Sequence, residues 1–163
     1  MAFPRAATAS LIAILTVSAV SAAYAKPVVV VTLSQTTVVT ASDGTQHFAA
    51  LTDGVPVVRG TVIRYTVNAK DTSADPARRL ALVGHVPSGT AYAPGSLRGP
   101  GGHAEFSLDG TSFSAHPMVA VKTAAGDVMQ PADPAQYVMV RWVKDAPLDA
   151  KSSTAFFYEV QVK

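Results

Sequence analysis

Beyond its N-terminal segment, the chain alternates short β-branched runs with turn residues and offers no long stretch of helical apolar spacing. Val and Thr dominate VVVVTLSQTTVVT (Val28–Thr40). Side chains of that kind are stiff at χ1 and fit a pleated surface better than a helix. In TVIRYTVNA, Ile63, Tyr65, Val67 and Ala69 fall on one face, and Arg64, Thr66 and Asn68 on the other. That period of two marks a strand with one wet side. RLALVGHV is a run of strand length with Leu80 and Leu82 on a common face. In YVMVRWV, Val138, Val140 and Trp142 make the better inward set. TAFFYEVQV ends the chain with Phe156, Tyr158, Val160 and Val162 opposite Phe157, Glu159 and Gln161.

Turn chemistry separates these runs. Asp-Gly pairs stand at Asp43-Gly44, Asp53-Gly54 and Asp109-Gly110. Both residue types tolerate the positive φ that tight antiparallel connections require. HAEFSLDGTSFSA therefore predicts a hairpin about Asp109-Gly110. The 11 prolines are scattered rather than clustered, and proline cannot donate to a central ladder, so they mark ends, edges and loops. PADPAQ suits one helical turn, and APGSLRGPGG is the best candidate for a mobile loop. About seven or more short strands, with turn signals every ~8–12 residues and no βα alternation, predict an all-β antiparallel sandwich.

The N-terminus points to export. A basic start (Arg5), an uncharged small and apolar stretch (Ala6–Ala23) and Ala23-Tyr24-Ala25 before Lys26 have the pattern of a secretory signal peptide. The competing reading is a membrane anchor. Its strongly apolar part, Leu11–Val20, is short against the ~20 residues a spanning helix needs. The expected organisation is a signal peptide over 1–25 and one β-sandwich domain over 26–163, with no stable membrane span after cleavage. The chain has no cysteine, so its stability rests on a core and not on disulfides. Its formal charge is +2, with 15% charged residues. The one Arg pair, Arg78-Arg79, has no interleaved aromatics and gives no nucleic-acid footprint.

The segment VVRGTVIRYTVNAKDTSADPARRLALVGHVPSGTAYAPGSL resembles the bacterial conserved repeat domain of secreted and surface proteins, domain of unknown function eleven. The likeness rests on Gly60, the strand through Tyr65 and Val67, Val86-Pro87-Ser88-Gly89, Tyr92 and Ser96. It continues through the AEFSLDGTSFSAHP hairpin and a final strand pair that includes Arg141-Trp142, and covers about residues 55–163 as a single copy. Two positions depart from the family pattern: Lys70-Asp71-Thr72 stands where Asn-x-Gly is usual, and Gly84 stands where Asp is frequent. The resemblance implies an immunoglobulin-like sandwich exported to the cell envelope, and no activity.

The candidate chemical groups are sparse. His47, His85, His103 and His116 lack zinc-ligand spacing. No Gly-x-Ser-x-Gly elbow occurs. Asp71 with Asp75, and Asp127 with Asp133, are the pairs that could share a calcium loop, but EF-hand spacing is absent and side-chain turns account for the first pair. Asn68 is the sole asparagine and is no glycosylation acceptor. Trp142 belongs in a core. No catalytic residue, cofactor or metal is expected.

The first functional reading is therefore an exported, non-enzymatic module, structural, adhesive or protein-binding, whose partner is a protein or envelope component in the periplasm or at the cell surface. Its candidate contact is the edge formed by Val28, Val29, Val30 and Val31, which puts apolar groups on both faces. The alternative is a periplasmic assembly factor or chaperone-like protein that binds extended peptides by edge-strand addition. There Arg59, Arg64 or Arg79 would anchor a client's carboxylate. A third reading, an envelope hydrolase, requires a convergent polar pocket.

Overall fold

The computed structural model describes residues 28–51 and 56–163. The expected signal segment and the Asp53-Gly54 turn lie outside the described residues. The described chain is antiparallel β throughout, with a single 3-10 turn at Pro134–Gln136 in the expected PADPAQ segment. Its strands are β1 (Val29–Thr40), β2 (Gln46–Ala50), β3 (Val62–Asp71), β4 (Ala81–His85) and β5 (Thr90–Tyr92). There follow β6 (Gly102–Ser107), β7 (Met118–Thr123), β8 (Gly126–Pro131), β9 (Met139–Lys144) and β10 (Ser153–Val162).

Two layers face each other. One is a five-stranded sheet in the order β2-β1-β3-β10-β5, and the other a three-stranded sheet in the order β4-β9-β6. Both sheets contribute to one core. Ile63, Tyr65, Val67 and Ala69 come from β3, and Phe156, Tyr158 and Val160 from β10. Leu82, Val140 and Trp142 come from the smaller sheet. The period of two read from the sequence is the period of burial in β3 and β10.

Tyr158 joins the layers. Its ring stacks on Tyr65 with centroids 5.2 Å apart, and its hydroxyl donates to the His85 carbonyl at 2.7 Å. Burial, and secondarily the Tyr65 phenol, hold that hydroxyl well above the usual tyrosine range. Gly84 lies directly over this ring. A Cβ there would sit 2.3 Å from Tyr158 Cε1, so the packing of Tyr158 requires glycine at this position.

Several expectations need correction. Val138 precedes β9 and is exposed, whereas Val140 and Trp142 are buried as expected. Trp142 is held between glycines. A Cβ at Gly99 or Gly102 would lie 2.8 or 2.7 Å from its indole. The APGSLRGPGG stretch, expected to be mobile, is therefore packed, and its Arg98 exchanges backbone bonds of 2.9 and 2.8 Å with Phe157. After Asp109-Gly110 the expected second hairpin strand is reduced to one bridge, Phe106 to Ser114. Asp109 instead accepts from the amides of Ser112 (2.7 Å) and Thr111 (2.8 Å) and from the Ser107 hydroxyl (3.0 Å). Those amide donors hold its carboxyl well below the ordinary range.

The hairpin at this end of the molecule is β7–β8. It forms a separate two-stranded sheet, anchored where Ala132 N–H donates to the Pro117 carbonyl at 2.9 Å.

Candidate functional site

The backbone of β1 is satisfied on one side along its whole length and on the other side only in part. It pairs with β3 without a register break from Val29–Asp71 to Val38–Val62. On its other side β2 reaches only from Thr36 to Thr40. Among the described residues, Val28 to Ser34 therefore form an open sheet edge.

The ladder determines which groups face outward. The Val28 carbonyl accepts from Thr72 N–H at 2.9 Å, while Ala41 N–H donates to the Thr45 carbonyl at 2.8 Å. In an antiparallel ladder, alternate residues point their backbone groups to opposite sides. Even-numbered residues of β1 thus bond to β3, and odd-numbered ones face β2 or, beyond its reach, solvent. Among the described residues, the N–H and C=O of Val29, Val31 and Leu33 have no strand beside them.

The side chains of this edge are apolar on both faces. Val29, Val31 and Leu33 are paired with Asp71, Ala69 and Val67 and so lie on the core side of the sheet. Yet Val31 is 53% and Leu33 56% exposed, against 0% for Ala69 and 3% for Val67. The reason is the unequal width of the layers. Tyr158 bonds to β4, and Tyr92 of β5 packs on Phe106 of β6. The three-stranded sheet thus covers β3, β10 and β5, and the middle of β1, at Val31 and Leu33, overhangs it, while Val29 packs against the core and Val38 is buried. Val28 and Val30, on the outer face, are also exposed. From Val28 to Ser42 the sequence has no charged residue and no proline, the devices that usually blunt an edge.

The three candidate arginines are not brought together. Arg59 lies in the turn before β3, and Arg79 precedes β4 at the opposite end of β3. Arg64 projects from the outer face of β3 and is not a free anion anchor. Its guanidinium lies between the rings of Phe48 (4.4 Å) and Phe157 (4.3 Å) and pairs with Glu159 at 2.5 Å. Glu159 takes both Nε–H and Nη2–H of Arg64, and Gln46 also accepts from Nη2, so the in-plane edge that a client carboxylate would use is occupied. Arg79 adopts φ 56° and borders a shallow depression of about 580 Å³ with Arg78, His103 and Lys144. In that depression His103 Nδ1 lies 2.7 Å from Asp145 Oδ1.

The carboxylate pairs singled out by the sequence sit in local turns and caps. Asp71 is fully buried, and its Oδ1 accepts from the Ser73 hydroxyl (2.6 Å) and amide (2.8 Å). These donors lower its pKa and give the side-chain turn read for Asp71 and Asp75. Asp127 lies in β8 while Asp133 caps the 3-10 turn at Ala135 N–H, 2.9 Å, so the second carboxylate pair does not share a loop. Among the described residues no serine hydroxyl bonds a histidine ring, and no three His, Asp or Glu side chains converge. No helix among them is long and apolar enough to cross a membrane. No family model, curated protein or solved structure matches the chain.

Proposed function

We propose that this chain is an exported, non-enzymatic, immunoglobulin-like sandwich that serves as a protein-interaction module of a bacterial envelope, and that it binds by strand addition along β1. The observation that carries the reading is the open edge itself. Among the described residues, no strand pairs with the outward backbone groups of Val29, Val31 and Leu33, and Val28, Val30, Val31 and Leu33 are exposed on the two faces of the strand. An added strand would take its affinity from main-chain bonds and its selectivity from alternate side chains. The signal-like N-terminus and the likeness to the conserved repeat domain support export and an envelope setting. The chaperone-like alternative has less support, because its basic anchors are dispersed and Arg64 is occupied.

The test uses an eight-residue peptide of alternating Val and Thr, flanked by lysines and labelled for fluorescence anisotropy. Its control is the same peptide N-methylated at every second residue. The protein is expected to bind the first in the micromolar range and the control at least about tenfold more weakly. Val31→Pro removes an outward N–H and no bond to β3, a substitution that edge strands tolerate. It should weaken capture by at least about tenfold. Equal binding of both peptides, or full binding by Val31→Pro, would overturn the reading.

A further inference from the structure

We infer that the occupant of the β1 edge is β1 of a second copy, paired antiparallel about a two-fold axis through Val31. This rests on the open-edge reading above and names its partner. The unpaired stretch Val28–Ser34 is centred on Val31, and its outward backbone groups belong to Val29, Val31 and Leu33. A two-fold through Val31 sets Val31 opposite Val31 of the second copy, and Val29 opposite Leu33 of the second copy. All are outward-facing residues, as a bonded antiparallel pair requires. Moving the axis by one residue, to Thr32, would bring Gln35 into the pairing, next to Thr36, where β2 already lies.

The side chains are self-complementary in this register. On the core-side face the opposed pairs are Val29 with Leu33 and Val31 with Val31, so the two exposed aliphatic strips merge into one. On the outer face Val30 meets Thr32, and Val28 meets Ser34. Closed two-fold contacts use the same patch twice, so any charge in the patch opposes its own sign. The stretch from Val28 to Ser42 carries none. Val31 and Leu33 are exposed on the core-side face, so that strip is open to the second copy. The five-stranded sheets of both copies would then become one continuous sheet.

The experiment is sedimentation velocity on the exported form, recovered from cells expressing the full sequence. Wild type should show a concentration-dependent monomer–dimer equilibrium. Val31→Lys and Val31→Glu each place like charges opposite one another at the axis and should each raise the dissociation constant at least about tenfold. Mixing the two should restore a dimer containing one of each. Val31 is exposed, so both variants should keep the wild-type circular dichroism spectrum; should either misfold, Val31→Pro provides the same loss of association.

A wild type that stays monomeric to millimolar concentration overturns the inference. So does a dimer indifferent to Val31→Lys, or a mixture that fails to pair. A monomer that still captures the Val-Thr peptide would leave the open-edge reading intact, whereas one that captures neither would remove both.

Discussion

At one edge of the five-stranded sheet the chain covers its own backbone. β5 pairs with Tyr92 to Thr90 against Val160 to Val162. Past its end, Ala93 N–H donates to the Glu159 carbonyl at 2.9 Å, Glu159 N–H donates to the Ser96 hydroxyl at 2.9 Å, and Arg98 exchanges bonds with Phe157. At the other edge β2 ends, nothing among the described residues continues it, and Val29, Val31 and Leu33 are left with outward groups. Within one sheet, then, the chain uses a three-residue strand and a following loop to close an edge, and leaves open a longer and more apolar one. Edges of the second kind favour pairing with another chain. Closure is within this fold's means, and among the described residues nothing closes the edge where the apolar strand lies.

The largest expected effect separates the shared core from both edges. Phe156 is 1% exposed, stacks with Tyr158 at 6.1 Å and lies opposite Val67. Truncation removes a large apolar contact and leaves a cavity between the layers. Phe156→Ala should lower the unfolding free energy in urea by about 3–5 kcal/mol. A loss below about 1 kcal/mol would show that the two layers do not share this core, and the overhang of β1 would then lose its meaning.

That core is legible in the sequence. β3 and β10 are half-buried strands, and burial on one face alone imposes a period of two that Ile63, Tyr65, Val67, Phe156 and Tyr158 display. The exposure of Val28, Val30 and Val31 is legible too, because valines on consecutive positions cannot all point inward. The free-standing β7–β8 ribbon is not. Its faces are both largely exposed: MVAVKT shows only a weak alternation, with Val119 and Val121 half-buried, and GDVMQP shows none, and Ala124-Ala125 is no Asx-Gly turn. Nor is the occupancy of Arg64, because Phe48, Phe157 and Glu159 reach it from other strands. A neighbour across a ladder depends on register, which a local pattern does not carry. The unequal width of the layers, which leaves Leu33 exposed, is likewise a property of pairing order and not of any one segment.

An intermediate effect tests the closed edge. Ser96→Ala removes the acceptor of Glu159 N–H and leaves that group part-buried and unpaired. The expected cost is about 1 kcal/mol, since a bond is lost without a replacement. Hydrogen exchange should accelerate at the Glu159 amide and stay unchanged at Val31, whose amide in dilute monomer should already exchange fast. Unchanged protection at Glu159 would mean that Ser96 does not close this edge.

The smallest effect on stability sharpens the contrast most, because it compares two residues that face each other. Leu33 and Val67 are direct cross-strand partners on the same face, yet one is 56% and the other 3% exposed. If apolar burial decides their contributions, Val67→Ala should cost about 2 kcal/mol, from lost methyl groups and the space they leave. Leu33→Ala should stay within about 0.5 kcal/mol, as for other surface truncations. Both are measured by urea unfolding at a concentration low enough to keep the protein monomeric. At high concentration the order should reverse for association: Leu33→Ala should weaken the dimer, since Leu33 packs against Val29 of the second copy. A Leu33→Ala cost equal to that of Val67→Ala would mean that β1 is covered within its own chain, and an edge so covered has no need of a second strand.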